Sequence, residues 1–512
     1  MKKYILPLMC LSFLPYTAIA EELTVTHTTT GDFENELAAA LSEKGLTAQD
    51  VTSLKIIGEA NMSAEDFVPV RAQLKETLKS IDLSETVFKN NTLPSADQYG
   101  KGGALNQMIV LEEVKLPETL ENIQGGTFYG CKELRTVNSP SALKELGMNV
   151  FGECTNLTSF KLPRNLTTIP GGLFSKCTNL VMTDGDLPDG VEVIETNAFQ
   201  GCKQVTFSII PATLTKIRDS GFASSGVTFS EWTENLVNLE ASAFSGSKVT
   251  FTTWSPYINE MPANIFGYCT TITDFTIPEN ITSLPKRAFL HNSWPYTERT
   301  FTCRSTTPPT AVYDKGWENT FYEDGGDFKK TTFKVKYEAL EAYQTTLPYS
   351  KMNIVPLTTN INVTIAGEGS VSTELGEATE GVMPIYEGNS TITFTPAEGY
   401  DVVSVKYGET ELIENMVDNT LVFDCPQTPE TLNVEFSISS SVNALENAKV
   451  KVYPNPTTDI LHIENNEGVA TLYDLAGQKV AATDDNVIDV SNLNAGVYIL
   501  KTKEASFKVV KQ

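Results

Sequence analysis

Eight phenylalanines, Phe128, Phe151, Phe174, Phe199, Phe222, Phe244, Phe266 and Phe289, divide the middle of this chain into intervals of 23, 23, 25, 23, 22, 22 and 23 residues. A period in the low twenties marks one supersecondary unit per interval, and no such unit can bury its apolar face alone. Each coil must therefore stack on its neighbours. The expected product is a solenoid, mainly β with short helical turns. A stacked coil offers a long surface and no obligatory pocket, so binding is its default use and catalysis needs separate support.

One coil reads Phe151-Gly152-Glu153-Cys154-Thr155-Asn156-Leu157, then Phe160-Lys161-Leu162-Pro163, then Leu166 and Ile169. The last copy keeps the pattern with Phe266, Cys269, Ile272, Phe275, Ile277-Pro278, Ile281 and Leu284. Phe160 and Leu162 around an outward Lys161 alternate as a short strand does, and Pro163 ends it because it cannot donate to a ladder. Leu166 and Ile169 predict a second extended piece. A helical or 3₁₀ turn, as at Lys286-Arg287-Ala288-Phe289, is expected to return the chain to the next ring. The outward strand positions Glu113, Lys115, Thr136, Ser159, Lys161, Thr228, Ser230, Thr250 and Thr252 are the candidate ligand contacts. They are short, polar and of mixed charge, and name no ligand.

Two coils are one residue shorter and carry Trp232 and Trp254 in register. The pair reads either as an exposed aromatic platform or as larger core residues filling the space left by the deletion. Five cysteines, Cys131, Cys154, Cys177, Cys202 and Cys269, each follow a ring by three residues, with Ser225 and Ser247 in two other copies. Coils about 4.8 Å apart are within disulfide reach, but equivalent rungs point the same way. The plainer expectation is a buried ladder of small residues.

Ala198-Phe199-Gln200-Gly201-Cys202 and Leu116-Pro117-Glu118-Thr119-Leu120 resemble the BspA-like class of leucine-rich repeat, over residues 22 to 357. The resemblance implies a leucine-rich repeat solenoid and adhesion to a host protein. Ile56, Phe67, Leu74, Leu78, Ile81 and Leu83 look like a helical opening cap, within 21–105 together with the first repeats. The array proper then covers 106–307. Residues 308–357 look like the closing repeat, with Thr332-Phe333-Lys334-Val335 and Ala339-Leu340-Glu341-Ala342-Tyr343.

The chain opens Met1-Lys2-Lys3, continues through an apolar stretch from Ile5 to Leu14 and reaches Ala18-Ile19-Ala20. This is the pattern of a signal peptide over 1–20, and a lipoprotein reading of Cys10 fails because Leu8-Met9 are not small. No later segment has the roughly 18 apolar residues of a membrane span. Removing Lys2 and Lys3 takes the formal charge from −26 to −28. That surface repels nucleic acid and anionic lipid, and no basic cluster offsets it. Seven cysteines remain, an odd number that cannot all pair within one chain.

After Pro356 the period stops. Short runs at 362–365, 390–394, 402–405 and 432–436 read as strands between Gly, Asn and Pro turns. Gly367-Glu368-Gly369-Ser370-Val371 and Pro396-Ala397-Glu398-Gly399-Tyr400 resemble an internalin-type B-repeat, so 359–436 is a small β-domain with an implied spacer role. A serine-rich segment, 437–447, reads as a linker and cleavage region. Residues 448–512 resemble the C-terminal sorting domain of the type IX secretion system, on Pro454, Asn455 and Pro456, then Asp474 and Gly477, Gly496 and Tyr498, and Lys508 and Lys511. That family implies a sandwich read by the type IX secretion machinery and removed during export, with the passenger released or held at the cell surface. The fold expectation is thus a solenoid followed by two small β-sandwich domains.

His27, His291 and His462 are the only histidines, and none accompanies a nucleophile motif. No CxxC pair, His-Glu-x-x-His helix or phosphate-binding glycine loop occurs, and no cofactor or metal is implied. Tyr322-Glu323-Asp324-Gly325-Gly326-Asp327 lacks the spaced ligands of a calcium loop and reads as a solvated turn. The leading expectation is an exported, non-enzymatic protein that binds a protein or glycan along its repeats. A self-associating envelope component and a cryptic polysaccharide or peptide hydrolase are the alternatives.

Overall fold

In the computed structural model, which describes residues 21–95, 102–290, 298–313, 318–321, 328–426, 428–438, 450–503 and 505–512, the periodic rings lie one above another. From Phe128 to Phe289 successive ring centroids are 5.4, 5.6, 5.8, 5.3, 6.4, 6.4 and 6.0 Å apart. All eight are buried. Offset stacking of this kind adds about 0.5–1.5 kcal/mol per pair beyond the area buried. The column goes one step past the sequence period: Phe321 stacks on Phe289 at 5.5 Å across an interval of 32 residues. The leader expected at 1–20, His291, the acidic segment 322–327 and residues 439–447 of the expected linker lie outside the described residues.

The turn that carries each ring is a backbone ladder. Asn149, Phe151 and Glu153 donate their N–H groups to Gly171, Leu173 and Ser175 of the next coil at 2.9, 2.9 and 2.7 Å. The intervening N–H groups close the turn locally, as Gly152 does onto Asn149. This alternation needs left-handed residues on both sides of the ring. Two positions before it stand Gly126, Asn149, Gly172, Asn197, Ser220, Ser242, Asn264 and Arg287, all with positive φ. Two positions after it, Gly130, Glu153, Lys176, Gly201, Ser224, Gly246 and Tyr268 do the same. The expected helical return is therefore corrected. Two left-handed residues within five break any right-handed helix.

The cysteines form the ladder of small buried residues, all as free thiols. Four thiols donate to the carbonyl of the ring residue one coil back, Cys154 to Phe128, Cys177 to Phe151, Cys202 to Phe174 and Cys269 to Phe244, at 2.9–3.0 Å, and Cys131 donates to Leu105 O at 3.0 Å. Ser225 and Ser247 bond instead to the ring carbonyl of their own coil at 2.7 Å, their shorter reach keeping the bond local. Burial pushes the thiols of Cys131, Cys202 and Cys269 up to about 12, which removes them as nucleophiles at neutral pH.

Two parallel strand ladders run along the array. The first pairs Ser80–Phe88, Glu113–Lys115 and Thr136–Val137, and reforms over Asp274–Ile277, Arg299–Cys303, Thr331–Val335 and Asn353–Pro356. The second pairs Thr92–Leu93, Asn122–Ile123 and Glu145–Leu146, then Thr168–Ile169, Val193–Ile194, Lys216–Ile217 and Asn238–Leu239. The strand expected at Phe160–Leu162 does not form. There the first ladder thins to isolated bonds, such as Thr158 N–H to Arg135 and Val181 N–H to Thr158. Pro163, Pro188 and Pro211 follow within a few residues and have no N–H to extend a rung. Phe160 and Leu162 are still buried and Lys161 exposed, so the alternation survives without the ladder.

The opening cap is mixed rather than helical. Strands Glu21–His27, Val51–Met62 and Ser80–Phe88 pair in parallel, with helices Phe33–Lys44 and Val68–Gln73 between them. Ile56, Phe67, Leu74, Leu78, Ile81 and Leu83 are all buried, but Ile56, Ile81 and Leu83 sit on strands. At the far end the strand Thr331–Val335 and the helix Leu340–Thr345 bury Phe333, Val335 and Tyr343 over the last coil.

Beyond Leu357 a second unit begins at Thr358 and holds two separate cores. Over 358–438, sheets of five and four strands enclose Ile361, Ile392, Phe394, Val405 and Leu432. Over 450–512, antiparallel sheets of three and four strands enclose Leu461, Leu472, Ile488, Leu500 and Val509. Among the described residues no helix is long and apolar enough to cross a membrane.

Phe199 lies mid-column between Phe174 and Phe222. Phe199→Ala is expected to cost about 3–5 kcal/mol in urea unfolding of the mature chain, and Phe199→Leu much less, because only the first leaves a large cavity.

Candidate ligand-binding face

The outward positions separate into one cluster and a scatter. Glu113, Lys115, Thr136 and Ser159 line a single depression of about 770 Å³, together with Ser84, Glu118, Thr119 and Asn138. Its floor is the buried Val114, Leu116, Pro117 and Val137. Lys161, Ser230, Thr250 and Thr252 are exposed but lie outside it, and Thr228 is half-buried.

Hydrogen bonds fix this surface across coils. Asn138 reaches back one coil, accepting Leu116 N–H at 2.6 Å and donating to Leu116 O at 3.0 Å and to Glu118 Oε1 at 3.2 Å. Glu118 in turn accepts Ser141 N–H at 2.8 Å, which holds its carboxyl below the usual range. Lys115 Nζ lies 3.8 Å from Asp82. Burial pushes Asp82 up, but the hydroxyl and N–H of Ser84 with Lys115 outweigh it and leave the carboxyl lowered. The depression thus presents hydroxyls, an amide, two carboxylates and one ammonium on a preset backbone.

The tryptophans are core residues, and the platform reading is corrected. Trp254 is 1% exposed and donates Nε1–H to Ile258 O at 2.7 Å. Trp232 is half-buried, stacks on Phe251 at 3.8 Å and donates to Thr253 O at 2.9 Å in the next coil. The two indoles meet edge to face at 5.4 Å rather than stacking. Both rings fill the space that the shorter coils leave open.

His27 is fully buried in the cap, with Nδ1 2.7 Å from Glu36 and Nε2 3.8 Å from Asp66. It faces two carboxylates and no nucleophile. His462 is exposed and stacks on Tyr453 at 5.5 Å.

In the C-terminal sandwich, the motif residues build turns and close an edge. Asn455 accepts Val510 N–H at 2.8 Å and donates to Lys508 O at 2.5 Å. Thr457 N–H donates to Val510 O and Gln512 N–H to Thr457 O, both at 2.9 Å. The segment around Pro454 and Pro456 therefore occupies the outer edge of the last strand, Ser506–Lys511. Asp474 takes the N–H groups of Ala476 and Gln478 in a tight turn whose Gly477 has φ 79°. Gly496 pairs with Lys511, and the Tyr498 hydroxyl donates to Asn494 O at 2.8 Å.

Residues 101–228 and 181–295 match the BspA type leucine rich repeat region in six copies, and residues 451–512 match the secretion system C-terminal sorting domain. The array is a BspA-type leucine-rich repeat region. Its sorting domain marks the chain for type IX export through the outer membrane, to the cell surface or the medium. Beta-agarase D of Zobellia galactanivorans is 34% identical over 113 residues, which are 19% of this chain and 24% of that protein. The chain thus spans about a quarter of the length of the curated relative it matches. A leucine-rich repeat protein from Bacteroides ovatus is similar at 19% identity over 57% of this chain and 67% of that one, with a TM-score of 0.36. The pneumococcal vaccine antigen PcpA is similar at 15% identity over 65% of this chain and 76% of that one, with a TM-score of 0.33.

Acidic side chains also tie BspA-type coils together. Lys144 holds Glu121, Lys176 holds Glu153 and Lys216 holds Glu240, at 2.7, 2.7 and 2.9 Å, and each carboxyl is lowered by its lysine. A carboxyl lowered on folding contributes stability that is present above its unfolded value, here 4.5, and is lost as pH falls through the folded value. Calorimetry is expected to show a level Tm from neutral pH down to about 5, then a fall that Glu121→Gln with Glu153→Gln makes shallower.

Proposed function

We propose that the array binds an extended macromolecular ligand, a protein segment or a glycan, laid across the first strand ladder at Ser84–Ser159. The observation that carries this reading is the depression itself. Its walls come from coils held by the ring column, and its polar groups are already oriented by Asn138 and Glu118. A ligand meeting such a surface orders little of it, so many weak contacts can add up to useful affinity.

Export sets the context. A chain delivered to the cell surface or the medium meets host proteins and polysaccharides, and adhesion is the use that the BspA-type repeats imply. Glu113, Lys115, Thr136 and Ser159 make the contacts, and the exposed Lys161, Ser230, Thr250 and Thr252 extend the track along later coils. Residues 359–436 serve as a spacer, and the sorting domain is removed within 437–447. The match to beta-agarase D covers about a quarter of that protein, and the reading offered is binding without turnover.

The mature chain is to be screened against extracellular-matrix proteins and polysaccharides by surface plasmon resonance. Thr136→Trp, which fills the depression, is expected to weaken the best binder about tenfold or more, equivalent to about 1.4 kcal/mol, without lowering Tm. A blank panel, or an affinity that Thr136→Trp leaves unchanged, contradicts the proposal.

A further inference from the structure

One coil of the array carries two extra residues. Leu134 to Pro140, Leu157 to Pro163, Val205 to Pro211 and Ile272 to Pro278 each span six steps, whereas Leu180 to Pro188 spans eight. The surplus forms a turn at Thr183–Asp186 that both neighbouring coils hold in place. Within it, Asp186 N–H donates to Thr183 O at 3.0 Å and the Asp186 carboxylate accepts Thr183 N–H at 2.7 Å. From the coil before, Arg164 donates to Gly185 O at 2.9 Å and to Leu187 O at 3.4 Å. From the coil after, Ser208 N–H and Ile209 N–H donate to Asp184 at 2.9 and 3.2 Å, and the Ser208 hydroxyl joins them.

The turn walls a socket of about 260 Å³ against the next coil. Leu187, Phe207, Ile209 and Pro211 supply its apolar lining, and Asp184 and Asp189 stand at its mouth. Ile209 is 68% exposed, more than any other large apolar side chain among the described residues up to Leu357. Ile209 thus offers apolar surface that a ligand can cover, in the same socket as Asp184 and Asp189.

We propose that this socket takes the side chain of one lysine or arginine from a protein ligand lying on the array. The methylenes pack on Ile209 and Pro211, and the cation meets Asp184 and Asp189. An alkyl stem ending in a charge is the side chain that suits an apolar floor with an acidic rim. Charge complementarity is set by this rim, and the chain as a whole carries a formal −26. The Arg164 guanidinium keeps its charge while it holds the turn's carbonyls, but Asp184, Asp186 and Asp189 outnumber it there and leave the segment net acidic. The inference rests on the binding reading above and narrows its ligand to a protein segment with an exposed basic residue.

The test uses the mature chain on an array of hexapeptides that differ at one position: lysine, norleucine, arginine, citrulline or glutamate. At physiological ionic strength, lysine and arginine peptides are expected to be retained about tenfold better than their neutral isosteres. Asp189→Asn is expected to abolish that preference, and Ile209→Ser to lower retention of the lysine and norleucine peptides alike, each at unchanged Tm; Asp184 is left intact because it holds the Ser208 backbone. Peptides retained without a basic preference, a preference that survives Asp189→Asn, or retention that Ile209→Ser leaves unchanged overturns the socket while the binding reading stands. No peptide retained, with a polysaccharide found on the wider panel, also overturns the socket alone. Blank results on both remove the two proposals together.

Discussion

The turns at Phe128, Phe151, Phe174, Phe199, Phe222 and Phe266 each spend three backbone N–H groups on the next coil, and the Phe244 turn spends two, from Ser242 and Gly246. Asn149, Phe151 and Glu153 show the pattern, and it can be drawn only because the residues flanking the ring adopt left-handed φ. The ring column and the turn ladder are therefore one device. The backbone sets the spacing between coils, and that spacing holds the rings 5.3–6.4 Å apart. Stacked rings in turn keep water from the ladder. Cysteine thiols add to it by donating to the ring carbonyls of Phe128, Phe151, Phe174 and Phe244 one coil back. Strand pairing is secondary here, since the first ladder lapses between Val137 and Asp274 while the column continues.

The solenoid was legible because its cause repeats. A ring that must touch its copies above and below cannot drift in sequence, so Phe128 to Phe289 report the architecture directly. Phe321 was not legible: the interval of 32 residues that precedes it hides a partner that only the fold reveals. The left-handed turn had a signal in Gly126, Asn149, Gly172 and Asn197, residue types that tolerate positive φ. Arg287, Glu153, Lys176 and Tyr268 at the same positions blurred it, because neighbouring coils impose there a conformation the residue itself does not favour. The alternation at Phe160-Lys161-Leu162 fixed inside and outside correctly yet overstated the strand, since pattern encodes burial and the prolines decide pairing.

The candidate face was legible in part. Alternation identified Glu113, Lys115, Thr136 and Ser159 as outward, but nothing in the chain says that these four share a depression and Thr228 does not. That depends on how Asn138 and Glu118 draw adjacent coils together. The tryptophans show the reverse case, where composition invites a platform and the missing residue of a short coil turns the indoles inward. The socket at Asp184–Pro211 left a trace in the single interval of 25, whose two surplus residues become a wall only once Arg164 and Asp184 tie them to both neighbours. An exported chain that keeps its insertions and polar outward residues on a rigid spine has the features of a recognition surface.

The central claim is that the ring turns form one continuous ladder rather than a series of separate loops. Native-state hydrogen exchange on the mature protein tests it most directly, because the amides of Phe151, Phe174, Phe199 and Phe222 all donate to the following coil. A continuous ladder gives these four amides similar and strong protection, lost together in one cooperative opening. Ring amides that exchange as fast as exposed loop amides, or that open independently of one another, would contradict the account.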